Sequence, residues 1–336
     1  MAKKINLFFD HSPTKNAHQY RGIGVYTKKL LQGLKQDYRI NLVSSPEKAD
    51  LIHLPYFSPF IPLNTPDISK TIITVHDLVP IELPKLFPQG LRAKFIWWQQ
   101  KLKLKQVRHI ITDSQASKKQ LIKHAGISSD NLTVIPLATD IAPSKKPSSI
   151  KNLPSQYVLY VGDINPNKNI RSIVKACLEN NLPLLVAGQA ATQTIASTHP
   201  ELQDLIWLQQ QAKQFPKKVK LLGFVSSTDL SILYQQALAY FHPSFAEGFG
   251  LPVLEALKLG CPVITSNLSS LPEVVGQAAI LVDPYSQSAI NQALKKVINF
   301  SSVQRQKFIT RGKTQAKKFS WQKTVNQTIK AYQPFS

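Results

Sequence analysis

Short apolar runs recur along the chain. Each is closed by a turn residue, and most are followed by a stretch with helical spacing. KINLFFD (4–10) predicts a first strand, and the polar segment 11–24 leads into GVYTKKLLQGLKQ, whose Val25, Leu30, Leu31 and Leu34 form a helical face. RINLVSS, ADLIHLP and TIITVHDLVP predict three further strands. A basic, aromatic helix follows over 91–108. HIITDSQASKKQLIKHAG reads as a strand and then a helix capped by Ser114 or Ser117, and LTVIPLATD (132–140) closes a first domain. The Pro-, Ser- and Lys-rich stretch 141–155 predicts a linker. Beyond it the alternation resumes: YVLYVG, PLLVAG, KVKLLG, ALAYFHP, CPVITS and AILVDP are strands, with helices between them and Ser227 or Thr228 as a cap. The tail from 286 is helical, and Trp321, Val325, Ile329 and Tyr332 share one face of its last helix. Strands alternating with helices specify an α/β chain with mostly parallel, doubly wound sheets. Boundaries fall at 1–145, 155–315 and a C-terminal helix, 316–336.

The length of 336 residues suits two domains, and 43% hydrophobic residues suffice for two cores. Cys177 and Cys261 lie in apolar surroundings, which suggests no disulfide framework and fits a cytoplasmic location. MAKKINLFFD is too short an apolar run for a signal peptide, and no run reaches the length of a membrane span. The expectation is a soluble or peripheral protein. A net charge of +22 favours anionic partners: nucleic acid, anionic lipid or phosphorylated small molecules. There is no nucleic-acid-binding motif and no long single-sign block. The basic, Trp-containing stretch 91–108 instead makes an anionic membrane surface a candidate partner, against the plainer reading of a helix with one packed face and solvated lysines.

The candidate chemistry concentrates in HPSFAEGFGLPVLEALKLGCP (242–262). An apolar strand ends at Pro243, and Glu247, Gly248, Phe249 and Gly250 form a loop. Pro252 then opens a helix that Gly260 closes. A glycine loop at a helix N-terminus presents backbone N–H groups and a positive dipole end to an anion. Glu247 and Glu255 frame it, and carboxylates accept hydrogen bonds from sugar hydroxyls. A packing unit with two solvated glutamates is the plain alternative. His76 stands at a strand end, where parallel sheets bind ligands, and Gly22 and Gly24 lie in the loop that leads into the first helix, beside Arg21.

The stretch 242–276, with HPSFAEGFG before the helix and GCPVITSNLSSLPEVVG after it, resembles the signature of the retaining, nucleotide-sugar-dependent glycosyltransferases of family four, mannosyltransferase-like branch. The resemblance is strongest over 158–284. It implies the GT-B fold: two Rossmann-like domains facing a cleft, with the last helix crossing back to the first domain. It assigns the ribose hydroxyls to Glu255, the donor sugar to Glu247, and the diphosphate to Lys168 and the loop amides of Phe249 and Gly250. Val225 meets the base, Gly162 forms a strand-end turn, and the Gly22–Gly24 segment and His76 face the donor. The family often carries arginine directly after the strand-end glycine; here that position is Asp163, so Arg21 and Arg171 are candidate replacements. The implied reaction is hexosyl transfer, first expectation from GDP-mannose, to a saccharide or lipid-linked acceptor. It needs no cofactor and no metal, and the chain has no Asp-x-Asp motif. A sugar-nucleotide epimerase on the same fold and a non-catalytic protein that binds anionic surfaces are the other readings.

Overall fold

The computed structural model describes residues 4–15, 22–195 and 199–335, which form two compact units. The first takes the chain up to Pro84, Pro88–Ala138 and Phe319 onward; the second takes Lys85–Phe87 and Thr139–Lys318. Each is built on a six-stranded parallel sheet.

In the first unit the strands are β1 (Ile5–Phe9), β2 (Ile40–Leu42), β3 (Leu51–Leu54), β4 (Thr71–Thr74), β5 (His109–Thr112) and β6 (Leu132–Val134), in the order β2-β1-β3-β4-β5-β6. Its helices are α1 (Gly22–Gln36), α2 (Val79–Glu82), α3 (Leu91–Leu104) and α4 (Gln115–Gln120). Strands β4 and β5 are buried at every position. That is the continuous pattern expected where helices cover both faces of a parallel sheet. Ser114 is the cap of α4 and accepts from the Ser117 amide. The buried face of α1 differs from the expected one: Tyr26, Thr27, Leu30 and Leu34 are buried, while Val25 is 42% exposed. Gly22 and Gly24 lie in the first turn of α1 rather than in a preceding loop.

The second unit contains β7 (Val158–Val161), β8 (Leu184–Ala187), β9 (Val219–Gly223), β10 (Ala239–His242), β11 (Val263–Ser266) and β12 (Ile280–Val282), ordered β12-β11-β10-β7-β8-β9. Around them lie α5 (Ile170–Glu179), α6 (Gln203–Gln214), α7 (Ser227–Gln236), α8 (Leu251–Leu259), α9 (Leu271–Val275), α10 (Gln287–Ile298) and α11 (Ser302–Ala316). Numbered from β7, this is the 3-2-1-4-5-6 order of a doubly wound nucleotide-binding sheet, and its direction reverses between β7 and β10. The residue capping α7 is Ser226, one before the expected pair, because its hydroxyl reaches the Asp229 amide.

The stretch 141–155 is not a free tether. Asp229 gathers the Ser149 amide (2.7 Å) and the hydroxyls of Ser148, Ser149 and Ser226, which hold its carboxyl down at about 2. The Ser144 amide donates to Ser231 Oγ at 3.0 Å. The segment is therefore laid along α7 and belongs to the second unit.

The final helix, α12 (Trp321–Tyr332), belongs to the first unit and packs on α1. A side chain at Gly33 would put its Cβ 2.4 Å from Val325 Cγ2, so glycine sets how closely these helices approach. Tyr332 Oη lies 2.6 Å from His53 Nδ1, and His53 Nε2 is 2.8 Å from Thr74 Oγ1. Burial pushes His53 down to about 3, so the ring is neutral and each nitrogen has one partner. Tyr332→Phe leaves one nitrogen of a fully buried imidazole unpaired, a cost of about 1–3 kcal/mol. Differential scanning calorimetry of the full chain should show the first unit's transition lowered by a few degrees. An unchanged scan would mean that α12 is held by its apolar face alone.

Candidate active site

The reversal in strand order between β7 and β10 places two strand-to-helix connections side by side, 162–169 and 243–250. They are bound to each other. The Phe245 amide donates to Asn167 O (2.8 Å), Asn167 Nδ2 to Ala246 O (2.9 Å) and Asn169 Nδ2 to Pro243 O (3.2 Å). Asn169 takes φ +56°, a left-handed conformation that asparagine tolerates better than most side chains, and α5 starts directly after it.

Lys168 from the first connection meets Glu247 from the second. Its Nζ donates to both carboxylate oxygens, at 2.8 and 2.7 Å. Glu247 is 8% exposed and His242 1%. His242 Nε2 lies 2.9 Å from Glu247 Oε1, and its Nδ1 lies 2.9 Å from the Tyr240 hydroxyl. The imidazole is stacked between Tyr160 and Tyr240, with ring centroids 5.8 and 5.6 Å away. Burial in this sandwich pushes His242 below its ordinary value despite the neighbouring carboxylate. A neutral ring facing a carboxylate must donate from Nε2, so the Tyr240 hydroxyl donates to Nδ1. Burial alone would raise the Glu247 carboxyl, but Lys168 and His242 outweigh it and hold the group below the usual carboxylate range. Glu247 is therefore a fixed anion.

The loop after Glu247 is shaped by the two serines that lead into α9. Ser269 Oγ accepts from the Glu247 amide (3.1 Å) and donates to the Glu247 carbonyl (2.7 Å), while Ser270 Oγ lies 3.0 Å from the Glu247 and Phe249 carbonyls. Gly250 has φ +102°, and a Cβ there would sit 2.7 Å from Leu271 Cδ2, so only glycine fits where the chain enters α8. The ends of β7, β8 and β9 also carry glycines: Gly162, Gly188 and Gly223. A Cβ on Gly188 would meet the Gly162 carbonyl at 2.3 Å. Val225 follows this edge, half-buried, next to Phe224, which is 66% exposed.

Glu255, on α8, is handled differently. Tyr234 donates to Oε2 at 3.2 Å and Thr139 to Oε1 at 3.4 Å, and Lys258 is drawn off to the Thr139 carbonyl at 2.6 Å. Burial pushes the carboxyl up to about 7 against these donors.

In the first unit, His76 Nδ1 lies 2.6 Å from Asp113 Oδ2, and Nε2 lies 3.1 Å from the Pro55 carbonyl. The Pro55 carbonyl can only accept, so Nε2 carries a proton, and Nδ1 shares one with the Asp113 carboxyl. Burial would lower this histidine, but Asp113 lifts it above its ordinary value. Burial raises Asp113 in turn, and its Oδ1 is buried without a hydrogen-bond partner. Tyr26 meets the imidazole edge-on at 4.9 Å. The ring is clamped between the Asp113 carboxyl and the Pro55 carbonyl.

Between these two connections the reversal of the nucleotide-type sheet thus holds a charged carboxylate–lysine pair, with a helix start beside it. Residues 142–315 match the model of the Glycosyl transferases group 1 family, and residues 10–142 that of Glycosyltransferase Family 4. The chain belongs to glycosyltransferase family 4. It is 31% identical to the O-antigen chain mannosyltransferase B of Escherichia coli over 279 residues, 79% of this chain and 70% of its relative. It is 27% identical to the serotype-specific mannosyltransferase WbdA of Escherichia coli over 78% of this chain; the match spans 33% of WbdA. In fold it is similar to Anabaena HepE, solved in complex with UDP and glucose, with a TM-score of 0.72, 17% identity, and coverage of 98% of this chain and 99% of that one.

In this glycosyltransferase the residues expected at the donor fall into two groups. Glu247, Lys168, Gly248, Phe249, Gly250 and Gly162 lie on the two joined connections, and Glu255 lies on the helix that follows. Arg171 lies on α5 and is engaged elsewhere: its Nε donates to Asp204 Oδ1 at 2.6 Å, and its guanidinium covers the Trp207 ring at 5.1 Å. Asp163 is half-buried, with its carbonyl accepting from Tyr160 Oη at 2.7 Å. Arg21 lies outside the described residues. His242, Tyr240, Tyr234, Asn167, Asn169, Ser269 and Asp113 went unnoticed in the sequence. Only His242, at a strand end five residues before Glu247, carried a visible signal.

The state of Glu255 makes a pH prediction. Its folded value near 7 exceeds the ordinary 4.5, so the folded chain keeps a proton that the unfolded chain has lost. Its contribution to stability therefore falls as pH rises between those values. Affinity for a ligand whose hydroxyls need an acceptor moves the other way. Nucleoside binding, measured by calorimetric titration, should strengthen up to about tenfold from about pH 6 to about pH 8, and the dependence should vanish in Glu255→Gln. A pH profile unaltered by that substitution would remove Glu255 from the nucleoside site.

Proposed function

We propose that this glycosyltransferase moves a hexose, mannose first, from a nucleotide-sugar donor to a saccharide or lipid-linked acceptor in surface polysaccharide or O-antigen synthesis. GDP-mannose is the donor we favour. The names of its mannosyltransferase relatives support the sugar. The Lys168–Glu247–His242 network across the strand reversal is the observation that carries the donor site. Glu255, with Tyr234 beside it, takes the ribose hydroxyls, and Val225 and Phe224 border the base. Glu247, fixed as an anion, accepts from hydroxyls of the transferred sugar.

The reaction breaks the bond between the anomeric carbon and the diphosphate and forms a bond from that carbon to the acceptor oxygen. Negative charge grows on the departing phosphate while the sugar becomes cationic. Lys168 and the start of α8 are suited to the first charge. Glu247 is close to the second, which its carboxylate favours. In the reading adopted here the acceptor enters on the face the phosphate leaves, its proton passes to a phosphate oxygen, and configuration is retained without an enzymic nucleophile or a metal.

Incubation with GDP-mannose, UDP-glucose and UDP-galactose and a panel of oligosaccharide acceptors, with the product anomer assigned by NMR, tests the reading. Retained α-linked mannosyl product, undiminished by EDTA, is expected. Conversion of the sugar nucleotide with no acceptor present would make the protein an epimerase instead. Glu247→Ala should lower turnover at least about a hundredfold, because its hydroxyl contacts tighten in the transition state.

Lys168→Ala gives a second test, on binding alone. Charge-assisted contacts of this kind contribute about 1.5–3 kcal/mol, so affinity for a nucleoside diphosphate should fall roughly tenfold to a hundredfold while affinity for the nucleoside hardly changes. Equal losses for the two ligands would mean that the lysine acts only through Glu247 and the loop it holds.

A further inference from the structure

Helix α3 has two apolar sides. One is packed into the first unit: Trp97, Gln100 and Leu104 are buried. Gln100 fastens the helix to the segment after β3, where Oε1 accepts from the Leu63 amide at 2.9 Å and Nε2 donates to the Ser58 carbonyl at 3.0 Å and to the Ile61 carbonyl. The other side faces outward. Leu91 is 86% exposed, Phe95 58%, Trp98 53% and Leu102 45%. These four are spaced i, i+4, i+7 and i+11, so they form one stripe down the whole helix. Phe95 and Trp98 stack, with ring centroids 5.9 Å apart.

Single exposed apolar side chains are ordinary, but an ordered stripe of large ones with two aromatic rings marks a surface that meets something. The charge beside it says what. Residues 91–108 contain six Lys and Arg and no Asp or Glu. By helical spacing, Lys94, Lys101 and Lys105 line one margin of the stripe and Arg92 the other. Lys101 Nζ lies 5.9 Å from the centre of the Trp97 ring, between that margin and the packed side. A soluble protein partner would need a matching apolar groove with an acidic rim. A bilayer containing anionic phospholipid supplies both layers by its own structure: acyl chains for the stripe, phosphates for the cations, and an interface at which tryptophan is favoured.

We infer that the exposed stripe of α3 seats the protein on an anionic phospholipid bilayer, with Leu91, Phe95, Trp98 and Leu102 entering the headgroup–acyl boundary and the flanking lysines at the phosphates. The helix is already folded and fixed to the unit by Gln100, Trp97 and Leu104, so seating orders no new backbone. Among the described residues no helix is long and apolar enough to cross a membrane, and this contact is a surface one. It uses no residue of the donor site, so it stands or falls separately from the transfer reaction.

Sedimentation of the full chain with vesicles of phosphatidylcholine alone, and of phosphatidylcholine mixed with phosphatidylglycerol, tests the inference. The protein should pellet with the mixed vesicles and stay in solution with the neutral ones. Phe95→Gln with Trp98→Gln should lower the partition coefficient at least about tenfold, and each of Lys94→Gln and Lys105→Gln should lower it by about fivefold at low salt. All four side chains are exposed, so the melting temperature and nucleoside diphosphate affinity of these variants should match the parent and exclude a folding defect. Three outcomes would overturn the inference: equal recovery with both vesicle types, undiminished binding by the Phe95→Gln/Trp98→Gln variant, or a concentration-dependent dimer that this variant abolishes and that mixed vesicles do not recruit.

Discussion

The pairing of Lys168 with Glu247 is the contact on which the second unit's site depends. Each residue is brought by a different strand-to-helix connection, and the two connections leave the sheet on either side of its reversal point. An ion pair in so closed a place is not an obvious source of stability, since removing both charges from water offsets much of their attraction. Removing one partner is another matter, at about 3–5 kcal/mol, because the other charge is left buried. The pair therefore works as a lock: neither loop can shift alone. It also leaves Lys168 suited to a second anion. An ammonium has three protons, and Glu247 engages it through two oxygens, so a phosphate can be met without first releasing the carboxylate.

Everything around that pair restricts backbone rather than adding charge. Asn167 and Asn169 tie one connection to the other through side-chain amides. Ser269 and Ser270 hold the carbonyls of the glycine loop from the opposite side. Gly250 and Gly188 stand where any side chain would collide with Leu271 or with the Gly162 carbonyl. The result is a strand-end surface low enough for a ligand to lie against backbone, with the start of α8 presented at its edge. Glycine at these positions is a steric requirement and not a sign of mobility.

The parallel sheets, the helices between them and the placement of Glu247, Lys168 and the glycine loop were legible in the sequence. Each rests on a local signal: an apolar run, a turn residue, a Pro and a Gly bracketing α8. What was not legible is tertiary. That Tyr160 and Tyr240 would enclose His242 depends on two strands being neighbours, and β7 and β10 are far apart along the chain. Segment 141–155 has the composition of a linker, yet its serines find Asp229 and lie along α7. Arg171 looked available because it stands three residues from Lys168. The intervening turn at Asn169 sends it along α5 toward Asp204 instead. The hydrophobic pattern of α3 was ambiguous for a physical reason: a helix apolar on two opposite sides shows little net amphipathicity, and only the fold distinguishes the packed side from the open one.

The two framing carboxylates, eight residues apart, also show why residue type alone does not define a role. Both are largely enclosed, and burial pushes both toward the neutral acid. Glu247 resists because a lysine ammonium and an imidazole N–H converge on it. Glu255 has only a tyrosine and a threonine hydroxyl, with Lys258 turned toward a carbonyl, so burial prevails and its proton is held to about pH 7. Two carboxylates driven apart in this way do different work. The first is charged before any ligand arrives and can favour positive charge on a sugar at no cost of ionisation. The second acquires full charge as hydroxyl donors approach, and must release a proportion of its protons to do so. A ribose bound there, as proposed, would be linked to proton release at neutral pH, whereas the field at Glu247 is constant. That separation follows from which neighbours the sheet order supplies, and not from the spacing of the two glutamates on the chain.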